Sequence, residues 1–246
     1  MCGRFALTTG LPQIADTFAM IVTESAPPRY NIAPTQPIHV IFQEFGHRNL
    51  RLMRWGFVPS WVREPENFSL IINARCETAK EKPSFRSAIR HRRCLIPADG
   101  FYEWQRSGAK NAPYYFRPRD CGLIGYAGLY ETYVAANGSE IDTVCFMTTA
   151  ATADIAAIHH RMPVAIPPDA VDRWLDCAHH LPDALENLCR NQPLGFYDII
   201  PVSARVNSAR NDGPELQEEV QASGEAPRPK QGRKAEEASS RQLSLF

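Results

Sequence analysis

CLIPADGFYEW (94–104), PYYF (113–116) and LIGYAGLY (123–130) follow one another in a single stretch of the chain, and their reading decides the fold. Each run is short, rich in aromatic and branched apolar residues, and bounded by Gly, Pro, Asp or Asn, a composition that suits strands better than helices. PIHVIF (37–42) and LRLMRWGF (50–57) upstream repeat it, as do TVCFMTTA (143–150) and FYDIIPV (196–202) downstream. Helical periodicity is sparser. LPQIADTF (11–18) places Leu11, Ile14, Ala15 and Phe18 on one face, and SFRSAIRHRR (84–93) opens with Ser84 as a candidate N-cap. PDAVDRWL (168–175) begins at a proline pair, and LPDALENLCR (181–190) spaces Leu181, Leu185, Leu188 and Cys189 helically. Strands outnumber helices and are not regularly separated by them. The expected class is therefore α+β, a single domain with a mostly antiparallel, barrel-like sheet and peripheral helices.

Composition changes near Glu215. The run PELQEEVQASGEAPRPKQGRKAEEASSRQ holds almost no large apolar residues and cannot bury enough surface to offset its ordering entropy. The expected organisation is a folded domain over 1–214, a disordered linker over 215–241 and a short peptide at 242–246. Lys+Arg and Asp+Glu number 27 each, so affinity for a polyanion must come from where the arginines stand. The seven cysteines (2, 76, 94, 121, 145, 177, 189) are scattered and never form C-x-x-C. That argues against a disulfide framework or a zinc site and fits a reducing cytosol. No charged leader with an apolar core and no 18-residue apolar run occurs, so the expectation is a cytoplasmic protein with no membrane contact. H-E-x-x-H, G-x-G-x-x-G and G-K-[ST] are absent, which speaks against metal hydrolases and nucleotide enzymes and for chemistry with no metal and no cofactor.

Cys2 is the least accidental residue in position. Removal of Met1, a routine step before a small residue, would leave a 1,2-aminothiol. An α-amine titrates at about 7.7–8.0 and a thiol at about 8.5, so both are partly nucleophilic near neutral pH. The amine condenses with an aldehyde to an imine, and the thiol closes on the imine carbon to give a thiazolidine. Position alone fits an ordinary terminal residue equally well.

MCGRF (1–5), RYNIAPTQ (29–36), WGFVPSW (55–61), INARCET (72–78), RRCLIPADGFYEW (92–104), AGLYE (127–131), HRMPV (160–164) and PVSARVN (201–207) together resemble the SOS-response-associated peptidase family, also described as abasic-site processing proteins. The strings run in order across nearly all of residues 1–210. The resemblance implies a protein that binds single-stranded DNA at an abasic site, crosslinks Cys2 to the ring-opened sugar aldehyde, shields the lesion in the DNA damage (SOS) response and removes its own Met1 by proteolysis. It carries the family's asparagine to Asn73, its glutamate to Glu103 and its histidine to His159.

Each has a physical task and an ordinary alternative. Asn73 donates and accepts hydrogen bonds without charge and suits holding the N-terminal amine or backbone; an Asn after a β-rich run is also a common turn former. Glu103 lies among aromatics in FYEW, where desolvation raises a carboxyl pKa toward the range of proton transfer; a buried partner for an arginine is the alternative. His159 fits H-x-R-M-P, with His160 in the variable position, and a near-neutral imidazole passes protons. Either histidine alone fits a structural role.

Arg4, Arg75 and Arg161 lie within two residues of these side chains and match phosphate oxygens. Pro34 and Trp61 fall in loop-like strings and suit wedging or stacking on bases, worth about 1–3 kcal/mol per stacked base, with core packing the alternative for Trp61. Val62 departs from relatives that carry a second tryptophan there. RSAIRHRR (86–93) reads equally as a solvated helix face and is left out of the site. Gln242, Leu243, Leu245 and Phe246 resemble a peptide that binds the bacterial replicative sliding clamp, apolar anchors on a flexible tether. The implied partners are abasic single-stranded DNA and the clamp, met by a monomer at the nucleoid. Two other readings stay open: an N-terminal-nucleophile amide hydrolase or amidotransferase using the same cysteine, and an adaptor that binds single strands and clamp without covalent chemistry.

Overall fold

A computed structural model describes residues 2–107, 110–120, 122–190 and 193–221. In chain order the strands are β1 (Phe5–Leu7), β2 (Arg29–Ile32), β3 (Pro37–Glu44), β4 (His47–Trp55), β5 (Asn73–Arg75), β6 (Arg93–Ala98), β7 (Gly100–Ser107), β8 (Lys110–Pro118), β9 (Ile124–Val134), β10 (Glu140–Ala150), β11 (Arg161–Pro163), β12 (Ala165–Ile166) and β13 (Tyr197–Pro201). The helices are short: α1 (Leu11–Thr17), α2 (Ala88–His91), α3 (Ala153–Ala156), α4 (Val171–Leu175) and α5 (Glu186–Arg190).

Five strands close a barrel. β4 pairs β3, β3 pairs β6, β6 pairs β9 and β9 pairs β10, all antiparallel. β10 then returns to β4 in parallel, with Thr143 opposite Arg54. β5 also joins β10 in parallel, so the barrel sheet is mixed; parallel neighbours need a long crossover, which local strand patterns do not reveal. The second sheet, in the order β13-β8-β7-β1-β2, is antiparallel throughout. Between the two layers lie Phe5, Trp55 and Phe146, packed edge to face at 5.1–5.4 Å, and the stacked pair Phe101 and Phe116 at 4.7 Å. Edge-to-face packing suits the ring quadrupole and adds to the area the rings bury.

The run 94–104 is two strands. β6 ends at Ala98 in the barrel and β7 starts at Gly100 in the other sheet. Asp99 holds the break by accepting from both the backbone N–H and the hydroxyl of Thr8 and Thr9. At Gly100 a Cβ would stand 2.3 Å from the Phe116 carbonyl oxygen, so only glycine lets the strands approach.

The helices are shorter than periodicity predicts. Ser84 caps nothing: α2 begins after Ser87, and hydrogen bonds from Phe85 and Arg86 N–H to the Lys82 carbonyl make the preceding residues a turn. Residues 168–175 and 181–190 each split into a 3-10 turn and a single α turn. Nor is RSAIRHRR a solvated face throughout, because Arg93 is buried in β6 and donates to the carbonyls of Ile89, Trp174, Asp176 and His180. Among the described residues two of the scattered cysteines also pair: Cys76 and Cys189 form a disulfide with Cα atoms 6.0 Å apart, joined by tertiary contact across 113 residues.

Packing continues past residue 214. Leu216 is buried, Val202 bridges Glu219, and the Val220 N–H donates to the Pro201 carbonyl. The rest of the expected linker and Gln242, Leu243, Leu245 and Phe246 lie outside the described residues, as does Met1. No helix among the described residues is long and apolar enough to cross a membrane.

Candidate active site

β1 runs antiparallel to β7 with Phe5 opposite Phe101, and the Tyr102 N–H donates to the Arg4 carbonyl at 2.9 Å. That register lays residues 2–4 alongside Tyr102, Glu103 and Trp104. Cys2 is fully buried, its Sγ 3.7 Å from the Arg4 carbonyl oxygen. Burial, reinforced by the Glu103 charge, pushes its thiol well above the ordinary value, so the sulfur rests protonated.

Asn73 reaches Cys2 from the other sheet. It opens β5, which β10 holds in register with Phe146 opposite Asn73, and its Nδ2 donates to the Cys2 carbonyl at 2.9 Å. The Asn73 Oδ1 is buried and accepts no hydrogen bond among the described residues. A buried acceptor left open costs about 1–3 kcal/mol, so the site is prepared for a donor.

Glu103 is 3% exposed, and desolvation raises its carboxyl above the usual value. The Oε1 lies 3.8 Å from Nδ1 of His159, an electrostatic contact longer than a hydrogen bond. His159 sits between α3 and β11, with Nδ1 3.1 Å from both the N and the O of Arg161. Burial lowers its pKa, which keeps the imidazole neutral near pH 7. His160 is exposed and stacks on His159 with ring centres 4.5 Å apart.

Glu103 and His159 open onto a cleft of about 390 Å³ shared with Trp104, Arg106, Asn111 and Asn207. The Trp104 indole N–H donates to Asn207 Oδ1 at 2.7 Å. Trp104 and Asn207 stand inside the strings GFYEW and PVSARVN, yet nothing in their spacing, 103 residues apart, signals that they meet. Arg106 carries no sequence signal beyond its alternation with Trp104 along β7.

The proposed DNA contacts divide. Arg75 is exposed on β5, two residues beyond Asn73. Arg4 is half-buried and already donates to Asn31 Oδ1 and to the carbonyls of Val206 and Asn207. Arg161 is buried, its guanidinium gripped by both Glu77 oxygens at 2.7 and 2.8 Å and by the Thr148 carbonyl. Pro34 is half-buried beside Thr35, whose φ is +74°. Trp61 is 57% exposed and touches Phe68 edge-on, so it is not core packing. Among the described residues no cluster of His, Cys, Asp and Glu is arranged to hold a metal ion. A separate apolar cavity, also about 390 Å³, lies by Phe18, Leu123, Ile166 and Phe196 and holds none of these groups.

A profile of the SOS response associated peptidase (SRAP) family matches residues 1–209. The chain is 36% identical over 220 residues to the abasic site processing protein YoqW of Bacillus subtilis (strain 168), covering 88% of this chain and 98% of that one. It is 30% identical over 223 residues to the abasic site processing protein YedK of Escherichia coli (strain K12), with coverage of 88% and 98%. A crystal structure of a Bacteroides thetaiotaomicron protein shares the fold at a TM-score of 0.80 and 22% identity, covering 89% of this chain and all of that one. This chain belongs to the SOS response associated peptidase family.

Proposed function

We propose that this protein captures abasic sites in single-stranded DNA by forming a covalent thiazolidine through Cys2. The observation that carries the reading is a chain of contacts among four distant segments: the Asn73 amide donates to the Cys2 carbonyl, the Glu103 charge acts on the buried Cys2 thiol, and Glu103 and His159 lie 3.8 Å apart on one cleft. The relatives YoqW and YedK are named for abasic site processing, which supports the substrate class.

Hydrolytic removal of Met1 frees the Cys2 amine, for which the open Asn73 Oδ1 is a ready acceptor. The amine attacks the ring-opened sugar aldehyde and water leaves as the imine forms. The sulfur then bonds to the imine carbon while its proton passes to nitrogen, so no oxidant, metal or cofactor is needed. Glu103, held toward its neutral form by burial, supplies a proton to the departing oxygen, and neutral His159 accepts and returns protons during ring opening or reversal. Arg75 is the exposed cation nearest Asn73 in sequence and takes a backbone phosphate, with Arg4 and Arg161 acting as braces. Trp61 offers an open face to a base and Pro34 a wedge. On this reading the protein works as a cytoplasmic monomer that shields lesions during the SOS response, and Gln242, Leu243, Leu245 and Phe246 tether it to the replicative sliding clamp.

The test is a denaturing gel of the protein with single-stranded DNA carrying one abasic site, beside undamaged DNA and the Cys2→Ala variant, with intact mass reporting Met1. A band that needs both the lesion and Cys2 is the expected outcome. Its absence in protein already lacking Met1 would leave an amide hydrolase or a non-covalent adaptor.

A further inference from the structure

Nδ1 of His159 lies at the same 3.1 Å from the Arg161 N–H and the Arg161 carbonyl oxygen. The two contacts demand opposite things of the ring. An amide N–H only donates, so that contact requires an unprotonated Nδ1 and leaves the proton of a neutral ring on Nε2. A carbonyl only accepts, so the other contact requires a proton on Nδ1. A small rotation of the Arg161 backbone, which moves its N–H and its carbonyl relative to the ring, therefore biases the tautomer, and what fixes that backbone acts with Glu103 Oε1, 3.8 Å from the same Nδ1, to set where His159 carries its proton.

Three features hold the Arg161 backbone. β11 pairs Arg161 with Ala150, but it is only three residues long. The side chain is anchored by the fork-to-fork pair with Glu77 and by the Thr148 carbonyl. Glu77 is in turn fixed on the 3-10 turn Cys76–Thr78, directly after β5, whose neighbour Cys76 is bridged to α5. Thr148 pairs with Arg75 of β5 and with Pro163 of β11, so these strands lie on the two edges of β10. The Glu77–Arg161 pair thus straps across the end of β10 and ties the strand that carries Asn73 to the strand that follows His159.

We propose that Glu77 is a positioning residue that, through the Arg161 fork, fixes the Arg161 backbone and with it the tautomer and orientation of His159. A bidentate charged pair is the geometry suited to this, because it removes rotation as well as translation of the guanidinium. The inference rests on His159 as proton carrier in the proposed function.

The experiment compares wild type, Glu77→Gln, Arg161→Lys, His159→Ala and the double variant Glu77→Gln/His159→Ala, all in the full chain. Ring 15N signals of His159 report the tautomer, and the rate of covalent adduct formation with abasic single-stranded DNA reports chemistry. Glutamine keeps the shape but loses one of the two fork bonds, and lysine keeps the charge but loses the fork, so either alone suffices if the other fails to fold. The expected result is displaced His159 Nδ1 and Nε2 signals in both variants. The adduct rate falls about tenfold, the scale on which supporting partners of a reactive group act, and the double variant is no slower than His159→Ala. Unmoved ring signals in a folded Glu77→Gln or Arg161→Lys protein would overturn the proposal, as would a Glu77→Gln loss that persists in full on top of His159→Ala. If His159→Ala itself left the rate unchanged, the proton-carrier reading would fail, while the ring signals would still decide the positioning role.

Discussion

Glu103 is a carboxyl in β7, opposite Tyr114 of β8, with almost no exposed surface, and its folded pKa lies above the ordinary value because burial penalises the charge. Between the unfolded and folded values the native state binds more protons than the unfolded one, so stability falls as pH rises through that interval. Glu103→Gln keeps the shape and removes the titration. Its melting temperature is therefore expected to exceed that of the wild type at pH 7, with the advantage shrinking below pH 4.5 in a pH series of thermal melts; a constant offset would mean the carboxyl is not the cause. His159 and His160 separate on the same grounds, since one is half-buried on Glu103 and the other points to solvent. His159→Ala should slow adduct formation by about 10²-fold, the lower range for a lost proton carrier, while His160→Ala stays near wild type. A larger loss at His160 would reverse the assignment. Residue type and motif singled out Cys2, Asn73, Glu103 and His159 as candidates in advance. They did not separate the free arginine, Arg75, from Arg4 and Arg161, because a guanidinium spent on Glu77 or Asn31 reads the same in sequence as one facing solvent.

The strands were legible and the helices much less so, for a physical reason. A strand shows itself by composition and alternation over a few residues, whereas helices of one turn are held by neighbours rather than by their own periodicity. α2 and α4 are such turns, docked by contacts such as the bonds of Arg93 to the carbonyls of Ile89 and Trp174. The break between β6 and β7 is the element on which the site depends, since it hands the chain from the barrel to the sheet that carries Glu103. Gly100→Ala would set a methyl group 2.3 Å from the Phe116 carbonyl oxygen and drive β7 off β8. It should cost about 1–3 kcal/mol or more, as overpacking does, and lower adduct yield in step with stability. Denaturant titration beside the gel assay tests this, and a neutral variant would show that the strands have room to part.

For the whole molecule, the balance of 27 acidic and 27 basic residues gives no strong general attraction to DNA, so under the proposed function selectivity for the lesion would have to come from the covalent step and from a few placed cations. Deleting residues 242–246 is expected to abolish binding to the sliding clamp, measured by surface plasmon resonance, and to leave the abasic-site adduct unchanged on the gel. An unchanged clamp affinity would remove the tether from the scheme. By itself the sequence determined the α+β class, the places of most strands along the chain and the family, and it singled out candidate side chains for the proposed chemistry, because these depend on local composition and on short motifs. Tertiary structure alone decided that five strands close into a barrel through the parallel return of β10 to β4, that Asn73 crosses from one sheet to hold Cys2 on the other, and that Cys76 meets Cys189. It also decided which arginines remain free. These contacts join residues dozens to more than a hundred positions apart, and no local pattern records a meeting that is produced by packing two sheets against one core.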